Sequence, residues 1–465
     1  MTMINSTGRS TMPRRLSTGF TLALALSATA CQEANDRLLQ VVDPDIINPS
    51  DVVSPEAAVA VANGAIATFR LTTGAGESTW LFGGLLADEW STSSTFIQND
   101  ETDQRQIQEF NSSITGMLRS LYRVRTRADQ AITALTAVRP DARALIAEMY
   151  LARGYAEMQL ASDFCNGVPI GNGNALPFPE DGVPKSNQEL FAIAAASLDS
   201  GLAFANGTDA ASVLMNRALR VTRGRVALAR GDFAGAGTLV TGIPSSFLYQ
   251  HTFSAIAGTN TLWAQGFSAR RYSVGDSLEG NARILLARNA IPFASARDPR
   301  LPVTIPTSGA VNGQDGQTYT RTTTMWGQFT AVDVVNGIDA RMIEAESALR
   351  AGNPAQWLAI HNALRLTPPR LGEIQPAAMA ALVDPGTEAG RVSLHFREKA
   401  FWTFSRGQRL GDMRRLVRQY GRTVANVFPQ GAHFKGGEYG GDVNLPVVTD
   451  ERNNPNFKGC TDRLP

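Results

Sequence analysis

The chain has 465 residues, and hydrophobic residues make up 43% of them. A chain of this length can bury a large core and predicts about two or three domains. Its 43 basic and 42 acidic residues leave a formal charge of +1 at pH 7. This balance excludes the strongly basic character typical of nucleic-acid-binding proteins, so we expect no nucleic-acid partner. Beyond the N-terminal region, no apolar run reaches the ~18 residues that span a bilayer.

Residues 1–30 have the features of an export signal. Arg14 and Arg15 precede a short apolar stretch over 20–28, which is too short to span a membrane. The sequence Ala-Thr-Ala then leads to Cys31, which resembles a lipobox whose cysteine is lipidated and becomes the new N-terminus. An ordinary secretory cut just before Cys31 fits the same residues. We favour lipidation, because a free thiol at the start of an exported protein would be exposed and reactive.

The segment that follows is predicted to be a tether from lipidated Cys31. Residues 31–53 contain Pro44 and Pro49 and show little periodicity, which is typical of an extended linker. About 20 such residues span tens of ångströms, enough to separate a lipid from a folded body.

Two further cysteines, Cys165 and Cys460, follow in the chain. In an exported protein an even pair predicts a disulfide, which would join the C-terminal tail to the first third of the chain. Two buried free thiols are the alternative, because a single pair in a chain this long is not a disulfide framework.

Helical periodicity dominates the rest of the chain. Apolar residues between Ile114 and Leu135 fall mostly at steps of three and four, so they line one face of a long helix that ends at Arg139-Pro140. Ser54-Pro55-Glu56 has the order of residues that starts a helix. Further helices are predicted over 141–162, 186–204, 214–230, 340–350, 356–364, 395–404 and 410–420. The protein is therefore predicted to be mostly α.

Helix pairs joined by glycine turns indicate a tetratricopeptide-like helical repeat scaffold. The turns at 227–233 and 348–353 each follow a helix end rich in Ala, Leu and Arg. Two stretches rich in Gly, Pro, Thr and aromatic residues, 164–185 and 244–336, interrupt this pattern. The second is long for a loop, so we predict a separate, irregular insertion lobe with short strands there. The helical regions on either side are predicted to be 54–243 and 337–465.

The order of these segments resembles the SusD/RagB family of nutrient-binding outer-membrane lipoproteins. Similar blocks occur over most of the chain after the signal region, at 118–135, 144–169, 217–236, 298–300, 339–365, 397–415 and 444–456. One block, usually written Glu-Gly-x-Arg-x-x-Asp-Leu-x-Arg, here reads RGQRLGDMRR over 406–415. It departs from the family pattern at Arg406, where the family usually has Glu, and at Met413, where it has Leu.

The resemblance implies a helical repeat protein that caps a SusC-like TonB-dependent outer-membrane transporter. It implies capture of glycans or other oligomeric nutrients at the cell surface, and it implies no cofactor. An outer-membrane lipid anchor at Cys31 agrees with this role.

Few residues suggest catalysis, which favours a binding protein over an enzyme. The four histidines, at 251, 361, 395 and 433, are too scattered in the sequence to predict a metal site. No zinc-protease, serine-hydrolase or phosphate-loop motif occurs. Asp88-Glu89 could supply a glycosidase acid, but we interpret these adjacent residues as a solvated helix end. We therefore predict no catalytic residue and no metal ligand.

Sugar recognition needs flat aromatic faces and planar polar groups on a preformed surface. Trp357 and Trp402 lie inside predicted helices, so we expect them in the core. The other four tryptophans lie at helix ends or in the insertion, near polar side chains, and ordinary core packing is the alternative for each of them. The predicted ligand-binding residues are Trp80, Trp90, Asn99, Trp263, Arg271, Tyr272 and Trp326.

Three functions are compatible with the sequence. A surface nutrient-binding lipoprotein that works with a transporter is the first prediction. A tetratricopeptide-like assembly lipoprotein that binds protein in a concave face is the second. A surface glycoside hydrolase is the third.

Overall fold

The computed structural model describes residues 52–74, 78–173, 180–308 and 312–465. The signal peptide predicted over 1–30, the lipidation site Cys31 and nearly all of the predicted tether lie outside the described residues. Residues Val53 to Pro465 form one unit. None of the helices in the described ranges combines the length and apolar character needed to cross a bilayer.

Helices provide most of the regular structure. In chain order they are α1 Pro55–Gly74, α2 Thr79–Leu86, α3 Ile97–Asp103, α4 Ser112–Val138, α5 Arg143–Asp163, α6 Asn187–Phe204, α7 Ala210–Ala229, α8 Phe233–Val240, α9 Thr261–Trp263, α10 Gly337–Arg350, α11 Pro354–Leu366, α12 Glu388–Trp402 and α13 Arg409–Tyr420. A π-helical turn, Ala264–Ser268, continues α9, and short 3-10 turns lie at Val424–Asn426 and Thr449–Asn453.

Capping residues in the sequence explain where these helices begin. The Ala57 amide donates to Ser54 Oγ at the start of α1, at 3.1 Å. Ser186 and Glu189 form a reciprocal capping box at the start of α6. The helices predicted from periodicity are all present. The largest shift is in α12, which begins at Glu388 rather than 395 because Thr387 caps it there.

Successive helices pack against one another, as the predicted repeat scaffold requires. Contacts join α4 to α5, α5 to α6, α6 to α7, and α7 to α8. Glycines permit the close approaches: a Cβ on Gly154 of α5 would lie 2.7 Å from Leu198 Cγ, and one on Gly201 of α6 would lie 2.8 Å from Leu219 Cδ2. Both distances are too short for a real Cβ contact, so larger residues would force the helices apart. The mostly α, helical repeat architecture is confirmed.

Short strands form five two-stranded antiparallel sheets in the described residues. The pairs are β1 Trp90–Thr92 with β5 Tyr272–Val274, β2 Val168–Ile170 with β3 Val183–Lys185, β4 Leu248–His251 with β10 Val332–Asn336, β6 Leu278–Glu279 with β7 Leu285–Leu286, and β8 Val303–Thr304 with β9 Thr322–Thr323. Most of them lie within 244–336, where short strands were predicted.

The insertion is tied closely to the helical part of the chain. Strands β4 and β10 pair at its two ends, and β5 pairs with β1 from the first helical region. In that pairing, Trp90 lies opposite Val274 and Thr92 lies opposite Tyr272. The insertion and both helical regions belong to the one unit Val53–Pro465.

Buried ion pairs hold the C-terminal segment 398–415 in place. The Arg406 guanidinium donates to both carboxylate oxygens of Asp339, at 2.9 and 2.7 Å. Burial alone would raise the pKa of Asp339, but Arg406 holds it below its ordinary value. The positive charge of Arg406 is therefore balanced by a carboxylate of α10. Two further buried pairs are Arg409 with Asp88 and Arg415 with Glu346.

A disulfide joins Cys165 to Cys460, as predicted, with the two Cα atoms 5.7 Å apart. Nearby backbone contacts extend the attachment of the tail. The Cys165 amide donates to the Leu445 carbonyl at 2.9 Å, and Asn166 forms a bridge with Asp462. The bond encloses a sequence separation of 295 residues. It therefore restricts the unfolded chain strongly.

Replacing both cysteines, as Cys165→Ser with Cys460→Ser, should lower the free energy of unfolding by about 6 kcal/mol in the loop-entropy model. Urea denaturation of the oxidised wild type and the double variant measures this difference. As a control, a reducing agent should destabilise the wild type and leave the double variant unchanged. Equal urea midpoints for the two oxidised proteins would contradict the prediction.

Candidate functional site

Two of the predicted ligand-binding tryptophans, Trp80 and Trp90, lie in the core. Trp80 has no exposed surface, and its indole N–H donates to the Tyr155 hydroxyl at 3.0 Å. Trp90 is 2% exposed and donates to Ser405 Oγ at 2.9 Å. A ring enclosed in this way has no face on which a sugar can stack. The surface role predicted for both tryptophans is therefore wrong.

Tyr272, Trp326 and Asn99 are also buried. Tyr272 packs edge-on against Trp90, with ring centroids 6.2 Å apart, because the pairing of β1 with β5 brings them together. Trp326 stacks on Phe404, with centroids 6.3 Å apart. Asn99 is enclosed within α3. Their burial excludes the exposed ligand platform that the sequence predicted for them.

The remaining two predicted residues, Trp263 and Arg271, are partly exposed and lie beside two exposed phenylalanines. Trp263 stacks on Phe267, with ring centroids 6.3 Å apart and planes inclined by 22°. The Arg271 guanidinium carbon lies 4.7 Å from the centre of the Phe96 ring. Phe96 is 42% exposed and Phe267 is 44% exposed. We name these four residues the aromatic surface.

Arg271 links the two halves of the aromatic surface. Its backbone amide donates to the Gln265 carbonyl at 2.9 Å, and its Nη1 approaches Gln265 Oε1 at 3.5 Å. Gln265 lies in the same π-helical turn as Phe267. This turn packs closely on the core, because a Cβ on Gly266 would lie 3.3 Å from the Trp90 ring. The aromatic surface therefore rests on a rigid support.

Neither Phe96 nor Phe267 is among the ligand-binding residues predicted from the sequence, because the aromatic candidates there were mainly tryptophans. A signal for Phe96 exists in the sequence. The apolar pair Phe96-Ile97 follows the polar run Ser-Thr-Ser-Ser-Thr over 91–95. This run has no apolar periodicity, so the pattern does not predict that Phe96 is buried. Exposed apolar residues in such a position are candidates for contact with a ligand.

The loop that carries Phe96 is fixed by hydrogen bonds to the insertion. The Ser93 amide donates to the Arg271 carbonyl at 2.9 Å, and Ser93 Oγ donates to the Arg270 carbonyl at 2.8 Å. The Gln314 amide donates to the same Arg270 carbonyl at 3.1 Å. Arg270 has a φ of 52°, a left-handed conformation that is uncommon for residues other than glycine. These bonds hold that conformation in place.

Lys435 joins the Phe96 loop to two other segments. Its Nζ donates to the Ser94 carbonyl and to Asp100 Oδ1, each at 2.8 Å. It also lies 3.4 Å from an Asp315 carboxylate oxygen. Asp100 in turn accepts a hydrogen bond from the Thr92 hydroxyl at 2.7 Å. One ammonium group therefore connects the end of β1, the start of α3 and the 312–318 loop.

A buried acid–histidine cluster lies behind strand β1. Asp103 accepts a hydrogen bond from the Thr92 amide at 2.7 Å and lies 3.3 Å from His433 Nε2. Burial alone would lower the pKa of His433, but its contact with Asp103 raises it above the ordinary value. Burial raises the pKa of Glu279 to about 7, and Tyr439 donates to this carboxyl group at 2.8 Å. The cluster holds β1 through the Thr92 amide and through the Ser91 hydroxyl, which donates to Glu279 at 3.1 Å.

Asp88 and Glu89 are buried, so their interpretation as a solvated helix end is wrong. Asp88 accepts a hydrogen bond from the Ile291 amide at 2.8 Å and pairs with Arg409. Glu89 accepts one from the Ser405 amide at 2.8 Å, and burial raises its pKa to about 8. Both carboxyl groups are used in packing the chain together. Neither is open to a saccharide as a glycosidase acid would need to be.

The histidines are less scattered in space than in the sequence. His361 of α11 and His395 of α12 are both buried, and His361 Nε2 lies 3.0 Å from His395 Nδ1. Burial lowers the pKa of His361 well below its ordinary value. Among the described residues, no group of three or more His, Cys, Asp or Glu side chains is arranged to hold a metal ion.

A groove of about 800 Å³ lies between the start of α5, the turn from α6 to α7, and β4. The apolar side chains of Leu214 and Leu248 line the groove. Glu148, also in the lining, accepts a hydrogen bond from the Tyr249 hydroxyl at 2.9 Å. Burial raises the pKa of Glu148. Among the described lining residues, Tyr249 is the only aromatic, and it is buried. The groove therefore lacks the open rings present at the aromatic surface.

Comparison with solved structures identifies the fold. A SusD superfamily protein from Bacteroides fragilis aligns over 87% of this chain and 99% of its own, with a TM-score of 0.63 and 15% sequence identity. A laminarin-binding SusD-like protein aligns over 88% and 99%, with a TM-score of 0.54 and 13% identity. A SusD-like carbohydrate-binding protein from Bacteroides vulgatus aligns over 77% and 82%, with a TM-score of 0.55 and 12% identity.

These similarities confirm the SusD-like fold that the order of sequence blocks predicted. The identities are low, so the likeness is one of architecture. No protein-family model and no curated protein sequence matches the chain.

Replacing Lys435 by Met removes the cation and keeps most of the apolar stem. We expect faster amide hydrogen exchange over residues 93–98, because the Ser94 carbonyl and Asp100 lose their shared donor. Mass spectrometry of the corresponding peptide measures this rate. Lys435→Arg should retain slow exchange, and Lys458→Met, at an exposed lysine, is the matched control. Unchanged exchange in Lys435→Met would show that the ammonium group does not fix the loop.

The raised pKa of Glu89 predicts a pH dependence of stability. Between its ordinary pKa of 4.5 and about 8, the folded protein keeps a proton that the unfolded chain has lost. The free energy of unfolding therefore falls as the pH rises through this range. Glu89→Gln stays neutral and keeps an oxygen for the Ser405 amide, so its stability relative to the wild type should increase with pH.

Urea denaturation across this pH range measures the difference. Glu438→Gln, at an exposed glutamate, serves as the control and should follow the wild type throughout. A constant difference between Glu89→Gln and the wild type at every pH would contradict the prediction.

Proposed function

We propose that this protein is a nutrient-binding protein that captures glycans at the cell surface. The observation that carries the proposal is the aromatic surface on a SusD-like fold. Phe96, Trp263 and Phe267 offer open rings for the apolar faces of sugars, and Arg271 offers a planar set of donors for hydroxyl groups. The rings stand on hydrogen-bonded segments, which is the preformed arrangement that sugar binding requires.

The names of similar structures support a glycan ligand. One neighbour is described as a laminarin-binding SusD-like protein, and another as a SusD-like carbohydrate-binding protein. Binding sites lie on loops carried by a fold, so a shared fold supports the class of ligand and leaves the particular sugar to the local residues. Here those local residues are aromatic and cationic.

We propose further that the protein is attached to the outer membrane through lipidated Cys31 and caps a SusC-like TonB-dependent transporter. The lipobox-like sequence before Cys31 and the proline-containing segment after it support the anchor. A tethered binding protein raises the local concentration of nutrient at the transporter entrance. In this role, the folded part of the protein would face the outside of the cell.

We propose a binding function without catalysis. The burial of Asp88 and Glu89 disfavours the hydrolase alternative, because a general acid must reach the glycosidic oxygen. The groove between α5, α7 and β4 keeps the assembly-protein alternative open, since a concave face of a helical repeat can hold a peptide segment. The open aromatic rings favour the glycan ligand over this second candidate.

Alanine substitution tests the aromatic surface directly. Phe96→Ala and Trp263→Ala should each weaken binding by about 1–3 kcal/mol, because a stacking ring is lost. Phe96→Ala should leave the melting temperature nearly unchanged, whereas Trp263→Ala should lower it slightly, because Trp263 also packs against the core. Trp402→Ala should lower the melting temperature most, because Trp402 is buried. Calorimetric titration with an oligosaccharide identified on a glycan array, together with thermal denaturation, gives both quantities.

The control for these variants is Phe110→Ala, at a phenylalanine that is 72% exposed and outside the aromatic surface. It should bind like the wild type. If both Phe96→Ala and Trp263→Ala also bind like the wild type, the glycan site lies elsewhere. Hydrolysis of the bound oligosaccharide by the purified protein would favour the hydrolase instead.

A further inference from the structure

The charges around the aromatic surface are unevenly compensated. Asp100 and Asp315, two acids beside the Phe96 loop, share the Lys435 ammonium group at 2.8 and 3.4 Å. Arg270 and Arg271 have no carboxylate within ion-pair distance among the described residues. Because Lys435 neutralises both aspartates, Arg270 and Arg271 keep a positive charge without a paired carboxylate among the described residues.

The donors of Arg271 are largely unused by the protein. Its Nε is buried and has no acceptor among the described residues. Its Nη1 makes one long contact with Gln265, at 3.5 Å, and its plane is held near the Phe96 ring. Because Nε is buried, the terminal nitrogens are the donors left for an anion, and little side-chain entropy remains to be lost when they bind it.

Arg270, the residue before Arg271, is a second cation. Its Nη1 makes only a long contact with the Asn312 carbonyl, at 3.4 Å. Its left-handed backbone is held by Ser93 and by the Gln314 amide, as described above. A strained conformation maintained by several bonds is characteristic of residues placed for a function.

We infer that the aromatic surface selects saccharides that carry an anionic group, such as a carboxylate or a sulfate. The inference rests on the proposed glycan function and names the class of glycan. A sugar ring stacked on Phe96 brings its substituents beside Arg271, and Arg270 is the next residue in the chain. A neutral sugar would satisfy the rings and leave the cations without an opposite charge, whereas an anionic sugar satisfies both.

The test compares three probes by calorimetric titration of the full mature protein: oligogalacturonate, which carries carboxylates, a sulfated dextran oligosaccharide, and a neutral laminarin oligosaccharide. We expect at least one anionic probe to bind about tenfold or more tightly than the neutral one. That advantage should shrink at high salt, because ions screen exposed charges. The two anionic probes distinguish a carboxylate site from a sulfate site.

Variants assign the preference to particular residues. Arg271→Gln and Arg270→Gln should reduce affinity for the preferred anionic probe about tenfold and change the affinity for laminarin oligosaccharide little. Arg288→Gln, at an exposed arginine away from the aromatic surface, is the matched control and should bind like the wild type. Melting temperatures of the variants equal to that of the wild type would show that the loss of affinity is not caused by loss of folding.

Two results would overturn the inference. Equal or tighter binding of the neutral probe would contradict the anionic preference and leave the glycan function standing. No binding of any of the three probes would count against the glycan function itself, and the anionic preference would fall with it.

Discussion

Buried pairing between arginines of the C-terminal segment and carboxylates from distant parts of the chain is the interaction on which the rest of the structure depends. Arg409 reaches Asp88 near the N-terminus, and Arg406 reaches Asp339 at the start of α10. Removing two charges from water is costly, and only a close partner with good hydrogen-bond geometry offsets that cost. The pairs therefore fix which segments lie together, because an unpaired arginine or aspartate in this core would be strongly unfavourable.

The buried ion pairs are connected to the candidate site by a few contacts. The same C-terminal segment holds Glu89 through the Ser405 amide and Trp90 through the Ser405 hydroxyl. Trp90 begins β1, which pairs with β5, and the residue just before β5 is Arg271. Phe96 follows β1 and Phe267 precedes β5, so the exposed rings lie on segments next to strands whose positions are set by buried charge. In the proposed role, a preformed surface of this kind needs no loop to be ordered on binding, which favours affinity.

Local patterns predicted much of the fold, and long-range pairing explains what they missed. Steps of three and four in the apolar residues of α4, and the capping residues of α1 and α6, are local signals, so these helices were predicted closely. The exposure of an aromatic ring is set by distant segments. Trp90 is covered by Ser405 and Phe404, more than 300 residues away. Tryptophans chosen by type were therefore often in the core, while the less conspicuous Phe96 and Phe267 were exposed.

We propose that a saccharide stacks on the aromatic surface beside Arg271. A crystal structure of the mature protein with a bound oligosaccharide would show this contact. We expect a sugar ring against Phe96 or the Trp263 and Phe267 pair, with a polar substituent hydrogen-bonded to the Arg271 guanidinium. An oligosaccharide bound in the groove between α5, α7 and β4, with Phe96 and Trp263 uncovered, would contradict it.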